Sequence, residues 1–135
     1  MIIKILLGHR YLLTQVIGYT SLIAWVSLAK IDTYSINFNL SDKIAHLLAY
    51  FIFTIVWFMF FFFSKKRNKN FGKSLWYASV IGFLFGLLME VLQALLTSYR
   101  SSEWFDALAN TTGIIFAAFL LKLVENKIIR VKEKL

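Results

Sequence analysis

Four long apolar segments constrain this chain more than any other feature of its sequence. They cover residues 11–29, 44–63, 75–96 and 107–121. Most are close to the ~20 residues that a membrane-spanning helix needs, and the interfacial residues Trp104, Phe105 and Lys122 extend the fourth. We therefore predict an all-α, polytopic membrane protein with a four-transmembrane-helix bundle. Its helices lie at about 11–29, 44–63, 75–96 and 105–123, within a single domain over residues 1–135.

The positive charges occupy alternate connections between these segments. The formal net charge is +8, and most of the basic residues precede the first segment, separate the second from the third, or follow the fourth. They are Lys4, Arg10, Lys65, Lys66, Arg67, Lys69, Lys73, Lys122, Lys127, Arg130, Lys132 and Lys134. Positive residues stay on the cytoplasmic side, so both termini and the 64–74 connection are predicted to be cytoplasmic. This placement indicates contact with anionic lipid headgroups and argues against nucleic acid as a partner.

Two further features of the sequence limit the possibilities. The chain has no cysteine, which excludes disulfides, thiolate metal sites and thiol catalysis. The basic residues before position 11 and the small-residue stretch 27–29 also fit a signal peptide with its cleavage site. Residues 1–29 are thus either the first spanning helix or a cleaved segment, and cleavage would not invert the other three helices.

Each predicted helix carries one face of small or polar residues at helical spacing. These faces are Thr14, Gly18 and Ser21 in the first helix; Asp42, His46, Tyr50 and Phe53 in the second; Gly82, Gly86, Glu90, Gln93 and Thr97 in the third; and Asp106, Asn110, Gly113 and Ala117 in the fourth. The opposite faces suit lipid, and the small-xxx-small spacings predict close helix packing. The run 58–63 is dense in phenylalanine and is expected to face lipid near the inner interface.

The polar members of these faces fall toward one side of the bilayer. Glu90 lies roughly 10 Å below the outer surface, where an unpaired carboxylate costs on the order of 3 kcal/mol. His46, Gln93 and Arg100 are its expected partners. We predict that a binding site is formed by Asp42, Lys43, His46, Tyr50, Glu90, Gln93, Arg100, Asp106 and Asn110. Ion-pair locking of the bundle, and helix capping by the two aspartates, are the structural alternatives.

The order of these residues resembles the VanZ-like family of small bacterial membrane proteins, which is named for a teicoplanin-resistance accessory protein. The pattern is Asp42-Lys43-x-x-His46-x-x-x-Tyr50, Glu90-x-x-Gln93, Arg100, and Asp106-x-x-x-Asn110-x-x-Gly113. The resemblance covers about residues 40–118 and departs from the family in lacking a proline between Gln93 and Arg100. It implies a four-helix protein of the bacterial cytoplasmic membrane that acts in the cell envelope or in glycopeptide resistance, without supplying a reaction.

Three functions fit this polar site. The first is binding of an amphiphile, a lipid-linked precursor or a lipoglycopeptide, with Lys43 and Arg100 meeting its phosphate or carboxylate. The second is a membrane-embedded hydrolase in which His46, Glu90 and Asp106 are the catalytic candidates. The third is transport, which four short helices favour least. With two histidines and no HExxH pattern, we predict no metal site and no cofactor. Whether the chain is an enzyme, and its oligomeric state, stay open.

Overall fold

The structure, a computed structural model, describes residues 2–29, 39–67, 69–98 and 103–135. Side chains are described for these residues except 39–41. The described residues form six α-helices: α1 (Ile2–Leu6), α2 (His9–Leu28), α3 (Asn39–Phe63), α4 (Phe71–Leu96), α5 (Trp104–Leu123) and α6 (Glu125–Glu133). Helices α2 to α5 are long and apolar enough to cross a membrane. The prediction of an all-α membrane protein with four spanning helices is confirmed.

Helix α3 is the central element of the bundle and packs against α2, α4 and α5. Its contact with α5 is the most extensive, and Gly113 makes it possible. A Cβ atom at Gly113 would overlap the carbonyl oxygen of Leu47 and would lie 3.1 Å from the backbone nitrogen of Phe51. The two backbones therefore touch at this point, as the small-xxx-small spacing of Gly113 and Ala117 predicts.

The phenylalanine-rich end of α3 is buried, so the expectation that residues 58–63 face lipid is wrong. Phe58 and Phe62 pack against Phe71 and Leu121, and they are 0% and 3% exposed. Phe60 and Phe61 pack on the other side of α3, against Leu12 and Val16 of α2. The run is buried on both sides because α3 lies between its neighbours, so a helix that is apolar on every face fits there.

Helix α2 joins the bundle through a different face from the predicted one. Its buried residues are Leu12, Val16 and Ile23. The face of Thr14, Gly18 and Ser21 is not buried, and a Cβ placed on Gly18 would have no described atom of a neighbouring helix within 4 Å. The expectation that these small and polar residues line the interior is wrong for α2, because large side chains fill its broad contact with the aromatic surface of α3.

Hydrogen bonds join α2 to α3 at the start of α2 and in its middle. His9 Nδ1 and Ser64 Oγ, just past the end of α3, are 2.5 Å apart. Tyr19 Oη donates to the carbonyl of Ala49 at 3.0 Å. These bonds set the depth of α2 relative to α3, because each joins a polar group of one helix to one defined position on or beside the other.

The end of the bundle that carries the 64–70 connection is basic, and we call it the basic end. Asn70 caps α4 there by accepting a hydrogen bond from the backbone N–H of Lys73 at 2.8 Å. Helix α6 folds onto the same end, where the ammonium of Lys132 donates to the carbonyl of Lys69 and lies 4.1 Å from the Phe62 ring centroid. Burial there lowers the pKa of Lys132. The opposite end, where α3 and α5 begin and α4 ends, is the polar end.

Candidate functional site at the polar end

The polar end brings together six side chains from the start of α3 and the start of α5, which we call the polar cluster. Its members are Asp42, Lys43, His46, Glu103, Asp106 and Asn110. The two helices begin side by side and run in the same direction away from the cluster, since their close contact lies about two turns beyond Asp106 on α5, at Gly113, and about one turn beyond Lys43 on α3, at Leu47. Spacings of three or four residues then place the polar groups of each helix on the face toward the other.

Lys43 is the charged centre of the polar cluster. Its ammonium nitrogen lies 2.6 Å from Asp106 Oδ1 and 2.6 Å from Glu103 Oε2. The Asp106 side chain is 7% exposed, whereas that of Glu103 is 46% exposed. The bond to Asp106 is the stronger of the two because water screens the outer carboxylate. This ion pair joins α3 to α5 at the rim of the bundle.

His46 connects the charged rim to the buried part of the site. Its Nδ1–H donates to Asn110 Oδ1 at 3.0 Å, because an amide oxygen can only accept. In the neutral ring, the lone pair on Nε2 then faces Asp42 Oδ2 at 3.9 Å and Asp106 Oδ2 at 4.0 Å. Nε2 is thus positioned between two carboxylate oxygens, where a cation could be bound.

Two buried polar atoms lie beneath His46. Tyr50 Oη and Asn110 Nδ2 have no hydrogen-bond partner among the described residues, and the two side chains are 2% and 3% exposed. Both border Gly86: a Cβ there would lie 3.2 Å from Tyr50 Cε1 and 3.4 Å from Asn110 Nδ2. Glu90, one turn further along α4, is also buried and lies within electrostatic reach of Tyr50. A buried hydroxyl or amide N–H requires a partner, which a polar ligand atom or water supplies.

Gln93, another residue predicted for the site, bonds to α2. It is buried, and its Nε2 donates to the carbonyl of Ser27 at 2.8 Å, which satisfies one of the terminal carbonyls of α2. Arg100, one of the three predicted partners of Glu90, lies outside the described residues. Trp104 and Phe105 at the start of α5 are 88% and 66% exposed, next to the cluster.

Sequence reasoning missed Glu103. It is the residue that precedes α5 and it gives Lys43 a second carboxylate. The only sequence signal is its position three residues before Asp106, since a residue just outside a helix shows no periodicity. With Glu103 included, three rim carboxylates accompany one ammonium, so Asp42, Glu103, Asp106 and Lys43 carry a formal charge of −2.

Three members of the cluster could hold a metal ion. One ligand atom each from Asp42, His46 and Asp106 lie within 4.8 Å of one another. The hydrogen bond from Nδ1 to Asn110 is the type of second contact that orients a histidine ligand. An imidazole with two carboxylate oxygens suits a divalent transition metal, although the ammonium of Lys43 already neutralises part of the charge of Asp106.

The fold and this site define a small membrane protein with four spanning helices and a polar cluster at one end. The chain belongs to the VanZ/LLP1 family, whose model matches residues 6–125. The matched region includes all six members of the cluster, and it confirms the resemblance to VanZ-like proteins.

Comparison with individual proteins finds a relative in a eukaryote. An uncharacterized protein of the yeast Schizosaccharomyces pombe is 32% identical over 81 residues, which is 60% of this chain and 46% of the yeast protein. The chain therefore matches less than half the length of that relative. No solved structure matches this chain significantly.

Proposed function

We propose that the polar cluster binds the headgroup of an amphiphile while the apolar part of that ligand lies against the exposed aromatic residues at the start of α5. The observation that carries the proposal is the continuous polar path from the rim to the interior. It begins at Lys43 and Asp106, passes through His46 to Asn110, and ends at Asn110 Nδ2 and Tyr50 Oη, for which the described residues offer no hydrogen-bond partner. The exposed aromatic residues Trp104 and Phe105 lie at the start of α5, next to the rim residues of the cluster, and tryptophan side chains are enriched at membrane interfaces.

The charge of the cluster favours particular headgroups. Lys43 is held by two carboxylates, and the four rim side chains sum to −2, so hydroxyl and amine donors fit better than an isolated phosphate. A glycan headgroup supplies such donors, as in a lipid-linked envelope precursor or in the lipoglycopeptide teicoplanin. Capture of the latter at the membrane surface would give teicoplanin resistance.

The orientation we propose puts the polar cluster on the extracytoplasmic side of a bacterial cytoplasmic membrane. Most of the basic residues, including Arg67, Lys69 and Lys132, lie at the opposite end, which positive-inside placement makes cytoplasmic. Single cysteines test this in a chain without native cysteine. On intact cells an impermeant maleimide should label Ser98→Cys at the polar end, and should label Lys65→Cys only after lysis. The reverse pattern would invert the proposed orientation.

Ligand binding should depend on His46. In nanodiscs, we expect labelled teicoplanin or a polyprenyl-linked precursor to bind wild type, and His46→Ala to bind about tenfold more weakly or worse. The reason is that the substitution removes the group that links the charged rim to Asn110, and a hydrogen bond to a buried or charged group is worth on the order of 1.5 kcal/mol. Fluorescence anisotropy with matched protein amounts measures the change.

The matched control for this experiment is Thr112→Val on α5. The Thr112 hydroxyl is exposed and donates to its own helix, to the carbonyl of Leu108 at 2.8 Å. The variant should bind like wild type. Equal affinities for wild type, His46→Ala and Thr112→Val, or binding by none of the three, would rule out the polar cluster as the site for these ligands.

A membrane-embedded hydrolase that acts on a lipid-linked envelope precursor is the second candidate function. The metal-compatible trio of Asp42, His46 and Asp106 favours it, because a divalent cation there would polarise a phosphoryl or carbonyl oxygen. This candidate predicts a stoichiometric metal in the purified protein and turnover of the precursor that Asp106→Ala abolishes. Metal-free protein that binds its ligand unchanged would leave binding as the function.

A further inference from the structure

An open groove lies at the basic end of the bundle, away from the polar cluster. It has a volume of about 620 Å³ and is bordered by residues of α2, α3 and α4 and by Arg67 and Lys69. This volume is in the range of small-molecule sites, about 300–1,000 Å³. Its walls are mainly apolar, with Ile17 of α2 and Trp57 and Phe61 of α3 among them. We call it the basic-end groove.

Two cations stand at one end of the basic-end groove. Arg67 and Lys69 both line it. Neither forms an ion pair with a carboxylate among the described residues. The ion pairs of the described residues lie at the polar cluster and at Lys122 instead. The ammonium of Lys69 lies 4.4 Å from the ring centroid of Tyr77, which fixes it at the groove wall. Backbone hydrogen bonds from Arg67 to Ser64 and from Lys69 to Phe61 hold the connection on α3.

The groove has the length of an acyl chain segment. On α2 it extends from Leu13 to Ser21, a rise of roughly 12 Å along the helix. Half of the hydrocarbon thickness of a bilayer is roughly 15 Å. The basic-end groove thus has apolar walls of this length and two cations at the end next to the membrane surface. These features are complementary to an anionic lipid that lies within one leaflet.

We propose that the basic-end groove is a binding site for an anionic glycerophospholipid, with its phosphate between Arg67 and Lys69 and one acyl chain along Ile17, Trp57 and Phe61. Charge complementarity identifies the occupant. One end of the groove carries two cations without a carboxylate partner among the described residues, and the apolar walls suit hydrocarbon. The site is separate from the polar cluster and does not depend on what the cluster binds.

Retention of lipid on release from nanodiscs tests the proposal. Wild-type protein in nanodiscs of mixed phosphatidylglycerol and phosphatidylcholine is released and analysed by native mass spectrometry. We expect one phosphatidylglycerol to be retained in preference to phosphatidylcholine. The double variant Arg67→Gln/Lys69→Gln should reduce that preference roughly 25-fold, since each of the two cations near a headgroup contributes about a factor of five.

Two further variants separate the groove from general surface charge. Lys65→Gln/Lys66→Gln removes the same charge from the same connection, but these exposed residues do not line the groove, and the preference should be kept. Ile17→Trp adds bulk to the groove without changing charge, and retention should fall. Equal loss in both double variants, no preference in wild type, or unchanged retention in Ile17→Trp would overturn the proposal.

Discussion

Replacing Gly113 by alanine should destabilise the protein more than the same substitution at any other glycine of its described helices. The new Cβ would overlap the carbonyl oxygen of Leu47 and lie 3.0 Å from its carbonyl carbon. These are backbone atoms of α3, so no side-chain rotation can relieve the contact and the two helices must separate. Overpacking typically costs 1–3 kcal/mol, and we expect about 3 kcal/mol here, measured as a lower thermal unfolding midpoint in detergent.

Gly18→Ala is the matched control for this substitution. Gly18 is also inside a spanning helix, yet its Cβ would have no described atom of a neighbouring helix within 4 Å. Alanine there should leave the midpoint unchanged or raise it slightly, because alanine favours the helix by up to about 1 kcal/mol over glycine. Equal midpoints for Gly113→Ala and Gly18→Ala would contradict the backbone contact between α3 and α5.

Asp106→Asn should have the second largest effect. The substitution keeps the size of the side chain but removes the buried carboxylate that lies 2.6 Å from the ammonium of Lys43. Breaking a fully buried ion pair costs about 3–5 kcal/mol. Lys43 is 23% exposed and keeps Glu103, so we expect a smaller loss of about 2 kcal/mol, together with weaker ligand binding at the cluster.

Glu103→Gln provides the comparison, because it removes the other carboxylate bonded to the same ammonium. Glu103 is 46% exposed, and exposed pairs contribute about 1 kcal/mol or less. Thermal unfolding of both variants, of Lys43→Met, and of each variant combined with Lys43→Met gives the coupling energy of each pair. A larger coupling for Glu103 than for Asp106 would contradict the burial of the Asp106 carboxylate beneath Lys43.

The fold could be predicted because the membrane imposes it. Long apolar segments with basic connections have few alternatives to spanning helices, and periodicity placed Asp42, His46, Asp106 and Asn110 on faces that α3 and α5 do turn toward each other. The glycine of α5 likewise marked a close helix contact. At these positions a polar or small residue on an otherwise apolar helix has one favourable location, which is the interface.

Periodicity did not predict which face large apolar residues use. Phe58 and Phe62 are buried although the sequence around them is apolar on every side, so only the arrangement of neighbouring helices decides their environment. Similarly, α2 buries large apolar residues rather than its small ones because it packs on aromatic side chains. Glu103 was missed because it precedes a helix. Gln93 bonds to α2 through the carbonyl of Ser27, a contact that sequence spacing does not reveal.

The most direct test of a ligand site at the polar cluster uses the two histidines of the chain. His46 lies in the cluster, bonded to Asn110, whereas His9 lies at the basic end, bonded to Ser64. In nanodiscs, ¹⁵N-histidine-labelled protein should therefore give one reporter for each end. We predict that teicoplanin or a polyprenyl-linked glycan precursor shifts the His46 nitrogen resonances and leaves those of His9 unchanged. Unchanged His46 resonances at saturating ligand, or a shift confined to His9, would contradict the proposed site.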